Sequence, residues 1–72
     1  MIRKRSVTIR GHRTSISLED EFWQALKTIA DAKNMSLAAL ITEIDAHREP
    51  DDNLSSAMRL HVLDWLKSGG AL

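Results

Sequence analysis

Between Ser6 and Leu18 the apolar positions recur every second residue. Val7 and Ile9 alternate with Thr8 and Arg10, and Thr14, Ile16 and Leu18 alternate with Arg13, Ser15 and Ser17. A period of two puts successive side chains on opposite faces of a strand, so residues 6–18 read as a strand region. Gly11-His12 interrupts the pattern and permits either a hairpin with a two-residue turn or one long strand kinked at Gly11. The extended form, continuing into one ribbon, is the reading carried forward. Thr14, Ile16 and Leu18 then face a core, while Arg13, Ser15 and Ser17 face away. A lone strand exposes a row of unpaired amides, and an extended segment finds no partner in so short a chain. The same strand of a second copy, antiparallel across a two-fold axis, completes it.

The period then changes to that of a helix. Phe22, Ala25, Leu26, Ile29 and Ala30 form one apolar arc, with Trp23 at its edge, which predicts a helix over residues 19–33. Glu19, Asp20 and Glu21 lie in its first turn, where carboxylates favour the positive end of the helix dipole, and Ser17 is a cap if the helix starts early. Asn34 tolerates the left-handed conformation of a helix stop. Ser36 then caps a second helix over residues 36–47, whose stripe is Leu37, Leu40, Ile41 and Ile44. The only proline, Pro50, stands among Glu49, Asp51 and Asp52 in an exposed acidic loop. A third helix over residues 54–67, capped by Asn53 or Ser55, carries Leu54, Ala57, Met58, Val62, Trp65 and Leu66, with Leu60 and Leu63 interrupting its polar side. A helix apolar on so many sides is expected to be clamped between elements or subunits. Gly69-Gly70 ends it.

With 72 residues and no cysteine the chain makes one domain, residues 1–72, without a disulfide or thiolate site, and association between copies is the remaining means of reinforcing a small core. The apolar positions Thr14, Ile16, Leu18, Phe22, Leu26, Leu37, Ile41 and Ile44 are expected to form a core shared by two copies. A formal net charge of zero conceals an asymmetry: Arg3, Lys4, Arg5, Arg10 and Arg13 all precede the first acid, Glu19. Residues 1–5 read as a flexible basic arm that meets an anionic partner, nucleic acid first. No apolar run is long enough to span a bilayer and no signal-peptide pattern follows the N-terminus, so the expected location is cytoplasmic.

Candidate chemistry is sparse. His12, His47 and His61 fall on separate elements without ligand-like spacing, so no metal is expected. The glycines stand only at positions 11, 69 and 70, which builds neither a phosphate loop nor a nucleophile elbow. No cofactor and no enzymatic activity are expected.

Read in order, Arg13-Thr14-Ser15-Ile16-Ser17-Leu18-Glu19-Asp20-Glu21-Phe22 resembles the ribbon-helix-helix family of Arc- and MetJ-type transcriptional repressors, and Asn34-Met35-Ser36-Leu37-Ala38-Ala39-Leu40-Ile41 resembles the start of that family's second helix. The resemblance covers roughly residues 12–47. Residues 6–10 and the third helix fall outside its minimal pattern. It implies a mostly α fold with a short N-terminal β-ribbon, a ribbon-helix-helix homodimer carrying an additional C-terminal helix. It also implies a ribbon that enters the DNA major groove, which has room for two strands. By the resemblance the base-reading positions fall on Arg13, Ser15 and Ser17, and a phosphate contact falls on Ser36 and the adjoining amides. Arg3, Lys4 and Arg5 are the further phosphate-binding candidates. The expected function is that of a bacterial DNA-binding regulator. The alternative is an antitoxin- or adaptor-like interaction module that uses the third helix to bind a protein.

Overall fold

Two residues set the path of the N-terminal third. Arg10 and Gly11 both have positive φ, 51° and 79°, the combination that a tight type I′ hairpin turn requires and that glycine adopts without strain. They fold the chain back on itself, joining β1 (Ile2–Ile9) to β2 (His12–Glu19). The structure is a computed structural model that describes residues 1–72. After the hairpin come three helices, α1 (Asp20–Ala32), α2 (Leu37–His47) and α3 (Leu54–Lys67).

The hairpin corrects the extended reading in three respects. The turn is Arg10-Gly11, so Gly11 occupies its second position and His12 already belongs to a strand. Residues 2–5 are strand rather than a free arm, because they continue the antiparallel ladder as far as the Ile2–Glu19 pair. The partner of β2 is β1 of the same chain. The need for a second copy to supply a first partner strand therefore disappears.

Alternation sorts the ladder into two faces. Arg3, Arg5, Val7 and Ile9 lie opposite Leu18, Ile16, Thr14 and His12 on the face towards the helices; Lys4, Ser6 and Thr8 lie opposite Ser17, Ser15 and Arg13 on the other. Ile9, Ile16 and Leu18 are buried. Thr14, expected in the core, is exposed: it lies opposite Val7 on the rim of a surface cleft that it shares with Ile9, Asp45, Arg48 and Leu54.

Below the sheet, Leu18, Leu26, Ile29, Leu40, Ile41 and Met58 are fully buried, each worth about 1.5–3 kcal/mol in apolar surface removed from water. Of the residues expected in a core shared between copies, Ile16, Leu18, Leu26, Ile41 and Ile44 are buried within the single chain, and Phe22 and Leu37 are half-buried against it. The accessible surface is 4772 Å², close to the roughly 4,500 Å² expected of a compact chain of this mass. One chain thus closes its own core.

Trp23 and Phe22 exchange their expected places: Trp23 is buried, while Phe22 sits at the margin. Asn34 (φ 55°) ends α1 as the spacing predicts. Met35 N–H donates to Ala30 O and Asn34 N–H to Asp31 O, so a left-handed residue satisfies two terminal carbonyls. The same arrangement closes α3 at Gly69, with Gly70 N–H on Trp65 O. Glu19 occupies the position before α1 and makes no side-chain cap, and Ser17 stays in the strand. Asn53, rather than Ser55, caps α3 by accepting from Ser56 N–H at 2.7 Å. That helix is covered on one side only: Met58 and Val62 are buried, whereas Leu60, Leu63 and Leu66 are 44–50% exposed. The expected clamping on most sides is not present within the chain.

Candidate nucleic-acid interface

Four of the five N-terminal cations are divided by the parity of the strands, and the fifth, Arg10, stands in the turn. Arg3 and Arg5 point towards the start of α1, where both meet Asp20: Arg5 Nη2 donates to Oδ1 at 2.9 Å, and Arg3 Nε lies 3.3 Å from Oδ2. The Arg5 guanidinium also stacks 4.5 Å from the centre of the Trp23 ring, a placement that favours a flat, weakly hydrated cation. It leaves Arg5 Nε buried without a hydrogen-bond partner. The structure therefore commits Arg3 and Arg5 to holding the hairpin against α1, in place of the free phosphate-seeking arm that the sequence suggests.

The neighbouring acids are tied down in the same way. Arg59, on α3, donates from Nε to Glu19 at 2.9 Å and lies 5.9 Å from the centre of the Phe22 ring. This hydrogen bond is the main reason that the Glu19 carboxyl is held below its usual pKa. The N-terminal ammonium stands 4.0 Å from Glu21. The acidic start of α1 is thus locally neutralised by Arg3, Arg5, Arg59 and the N-terminus.

The outer face differs. Lys4, Ser6 and Thr8 of β1 and Arg13, Ser15 and Ser17 of β2 are all exposed, and none of their side chains forms an ion pair or hydrogen bond within the chain. Between Lys4 and Thr8 and between Arg13 and Ser17 there is no carboxylate. The surface is two cations set among four hydroxyls on a rigid ladder. Such a surface suits the donors and acceptors of base edges and the charge of phosphates. The structure brings Arg13, Ser15 and Ser17 onto one face and adds Lys4, Ser6 and Thr8 beside them. The signal for the added row was present in the alternation of residues 6–10, but it becomes a second row only when the chain turns at Arg10-Gly11.

Ser36 caps α2, accepting from Ala39 N–H at 3.0 Å. Geometry leaves the Leu37 and Ala38 N–H groups of the first turn without intrahelical partners. Leu37 and Ala38 border an apolar notch of about 350 Å³ together with Ser6, Val7, Thr8, Trp23 and Ile41. The start of α2 therefore lies on the β1 side of the sheet.

His47 and His61, separate in sequence, line one cleft between α2 and α3 with Glu43 and Ile44. His47 Nδ1 lies 2.8 Å from Glu43 O, and Lys33 pairs with Glu43 at 3.5 Å. Burial first, and the Lys33 charge second, hold the His61 imidazole below its ordinary pKa. No group of three or more His, Asp or Glu side chains comes together to hold a metal ion. No helix is long and apolar enough to cross a membrane.

The sequence model for the ribbon-helix-helix domain matches residues 2–66. The match takes in β1 and nearly all of α3, both of which lie outside the minimal pattern recognised in the sequence. No curated protein and no solved structure matches the chain.

Proposed function

Because the chain belongs to the ribbon-helix-helix domain family, a family of DNA-binding, transcription-regulator type, we propose that it binds double-stranded DNA as a homodimer and represses transcription in the bacterial cytoplasm. It does so with no chemistry of its own. The observation that carries this reading is the outer face of β2, where Arg13, Ser15 and Ser17 stand exposed without a carboxylate among them and without partners in the chain.

The open edge of β2 supports the dimer. Only β1 pairs with it, and in a hairpin closed by a two-residue turn the backbone groups of Arg13, Ser15 and Ser17 point to the unpaired side. This edge contains no proline to block strand addition. Two copies joined there place β2 beside its twin as the central ribbon, the width that the major groove admits. Arg13 is the long donor on that ribbon and contacts a guanine; Ser15 and Ser17 make shorter contacts. Ser36 and the free amides of the α2 start meet phosphate.

The test compares wild type and Arg13→Ala on a selected duplex and a scrambled one over a range of salt. A paired guanine contact is worth about 1–3 kcal/mol, so Arg13→Ala should reduce the preference for the selected duplex by roughly five- to 150-fold while changing affinity for the scrambled one much less. An unchanged preference sinks the reading role of Arg13, and absence of binding by wild type at low salt sinks the DNA reading as a whole. In that case the second reading takes over. Leu60, Leu63 and Leu66, about half exposed along α3, favour an interaction module whose partner is another protein.

A further inference from the structure

We propose that β1 is a phosphate-holding strand, with Lys4, supported by the Ser6 and Thr8 hydroxyls, gripping the DNA backbone at the rim of the groove that β2 enters. This rests on the DNA-binding dimer proposed above and assigns a role to a strand outside the recognised reading positions.

Three observations lead to it. The register places Lys4, Ser6 and Thr8 directly beside Ser17, Ser15 and Arg13, on the same outward face. Lys4 is the one cation of residues 1–5 whose side chain is not engaged within the chain, since Arg3 and Arg5 are held by Asp20. The β1 side of the sheet is also the side on which α2 begins, because Leu37 and Ala38 share a notch with Ser6 and Thr8.

Width then decides between reading and gripping. Neighbouring strands lie about 4.8 Å apart. When β2 pairs with its twin, the two β1 strands are therefore about 14 Å apart, beyond the ~12 Å width of the major groove. The central pair fits between the groove walls and the flanking strands lie over them. What β1 meets is phosphate. Its residue types agree: Lys is a compact, mobile point charge suited to a phosphate oxygen, and Ser and Thr hydroxyls donate to the same oxygens while letting the backbone come close.

The consequence is a division of labour visible in salt dependence. One Lys4 per copy gives two phosphate contacts per dimer. Lys4→Ala should reduce the log–log salt slope by about 1.8 and weaken the selected and scrambled duplexes by equal factors. The preference between them and the melting temperature should stay unchanged. Lys4→Arg should restore the slope, and Arg3→Ala, removing an inward-facing cation, should not reduce it. Four results overturn the proposal. If Lys4→Ala leaves the slope at the wild-type value, β1 touches no phosphate. If it lowers the preference instead, β1 lies inside the groove and reads bases. Should wild type bind neither duplex, this inference falls together with the function on which it rests; wild-type binding that depends on Arg13 but not on Lys4 overturns the inference alone.

Discussion

The two faces of the hairpin carry similar cations and use them differently. On the inner face, Arg3 and Arg5 converge on Asp20, and Arg5 lies flat on Trp23. On the outer face, Lys4 and Arg13 stand among hydroxyls with no acid in reach. Lys4 sits between the two inward arginines in sequence, yet one step along a strand reverses the direction of a side chain. A basic cluster read as a single patch is thus two sets of opposite purpose: one fastens the ribbon to the helices, and the other is free for a polyanion. The fastening also explains how three acidic residues can follow directly on the ribbon. Glu19 and Asp20 are held by arginines from α3 and β1, so the charge nearest the ribbon is largely cancelled before any phosphate arrives.

The comparison is broken most severely by removing the apolar support that the two faces share. Ile16 is 4% exposed and lies beneath the ladder opposite Arg5. Ile16→Asp places an unpaired carboxylate there at a cost of several kcal/mol, comparable to the entire stability of a small domain. Circular dichroism should show an unfolded chain at 25 °C.

A smaller change separates the faces. Arg5→Ala removes a charged hydrogen bond and a cation–ring contact from a mostly covered site, about 1–2 kcal/mol, and should lower the melting temperature by roughly 5–15 °C. Lys4→Ala should stay within about 0.5 kcal/mol of wild type. Equal losses from the two would show that the inward and outward sets do not differ.

Two pH effects sharpen the account of what holds α3. The His61 imidazole is kept below its ordinary value of 6.5 by burial and by Lys33, so the folded state favours its neutral form. The stability it contributes is fully present above pH about 6.5 and is lost as pH falls through the lower folded value. Wild type should therefore melt lower at pH 5.5 than at 7.5, and His61→Gln should narrow that gap. Glu19 behaves alike in the acid range. Its pKa is depressed chiefly by the Arg59 hydrogen bond, so its contribution is present above the usual carboxylate range and fades below it. In Arg59→Ala the fall of melting temperature between pH 5 and 3 should be shallower, and this is the smallest effect expected.

Much of this architecture was legible in the chain. The helical stripe of Leu37, Leu40, Ile41 and Ile44, the Ser36 cap and the left-handed stop at Asn34 are local signals, and each gave its element nearly to the residue. The alternation of Ile16 and Leu18 gave a strand with the correct inward face. What local signals did not decide was the strand's partner. Arg10 with positive φ has no propensity that announces it, because a long side chain there is strained and is tolerated only when pairing of the flanking residues fixes the turn. Missing that turn made an arm of the first half of β1, left β2 without a partner and hid the opposed directions of Arg3, Lys4 and Arg5. The exchange between Trp23 and Phe22 has a similar origin, since the Arg5–Trp23 stack joins residues that only the hairpin brings together. The outward direction of Arg13, Ser15 and Ser17 was legible because it needs only the parity of one strand, while the second row beside them required the fold.

The central claim is that the outer face of the hairpin, rather than the leucine side of α3, is the functional surface. Amide chemical-shift mapping of the intact protein with a short selected duplex, at two salt concentrations, tests it directly. The account predicts shifts concentrated at Lys4, Ser6, Thr8, Arg13, Ser15 and Ser17 and at the start of α2, diminishing at higher salt, with Leu60, Leu63 and Leu66 unmoved. Shifts centred on those three leucines, or none anywhere at low salt, would contradict it.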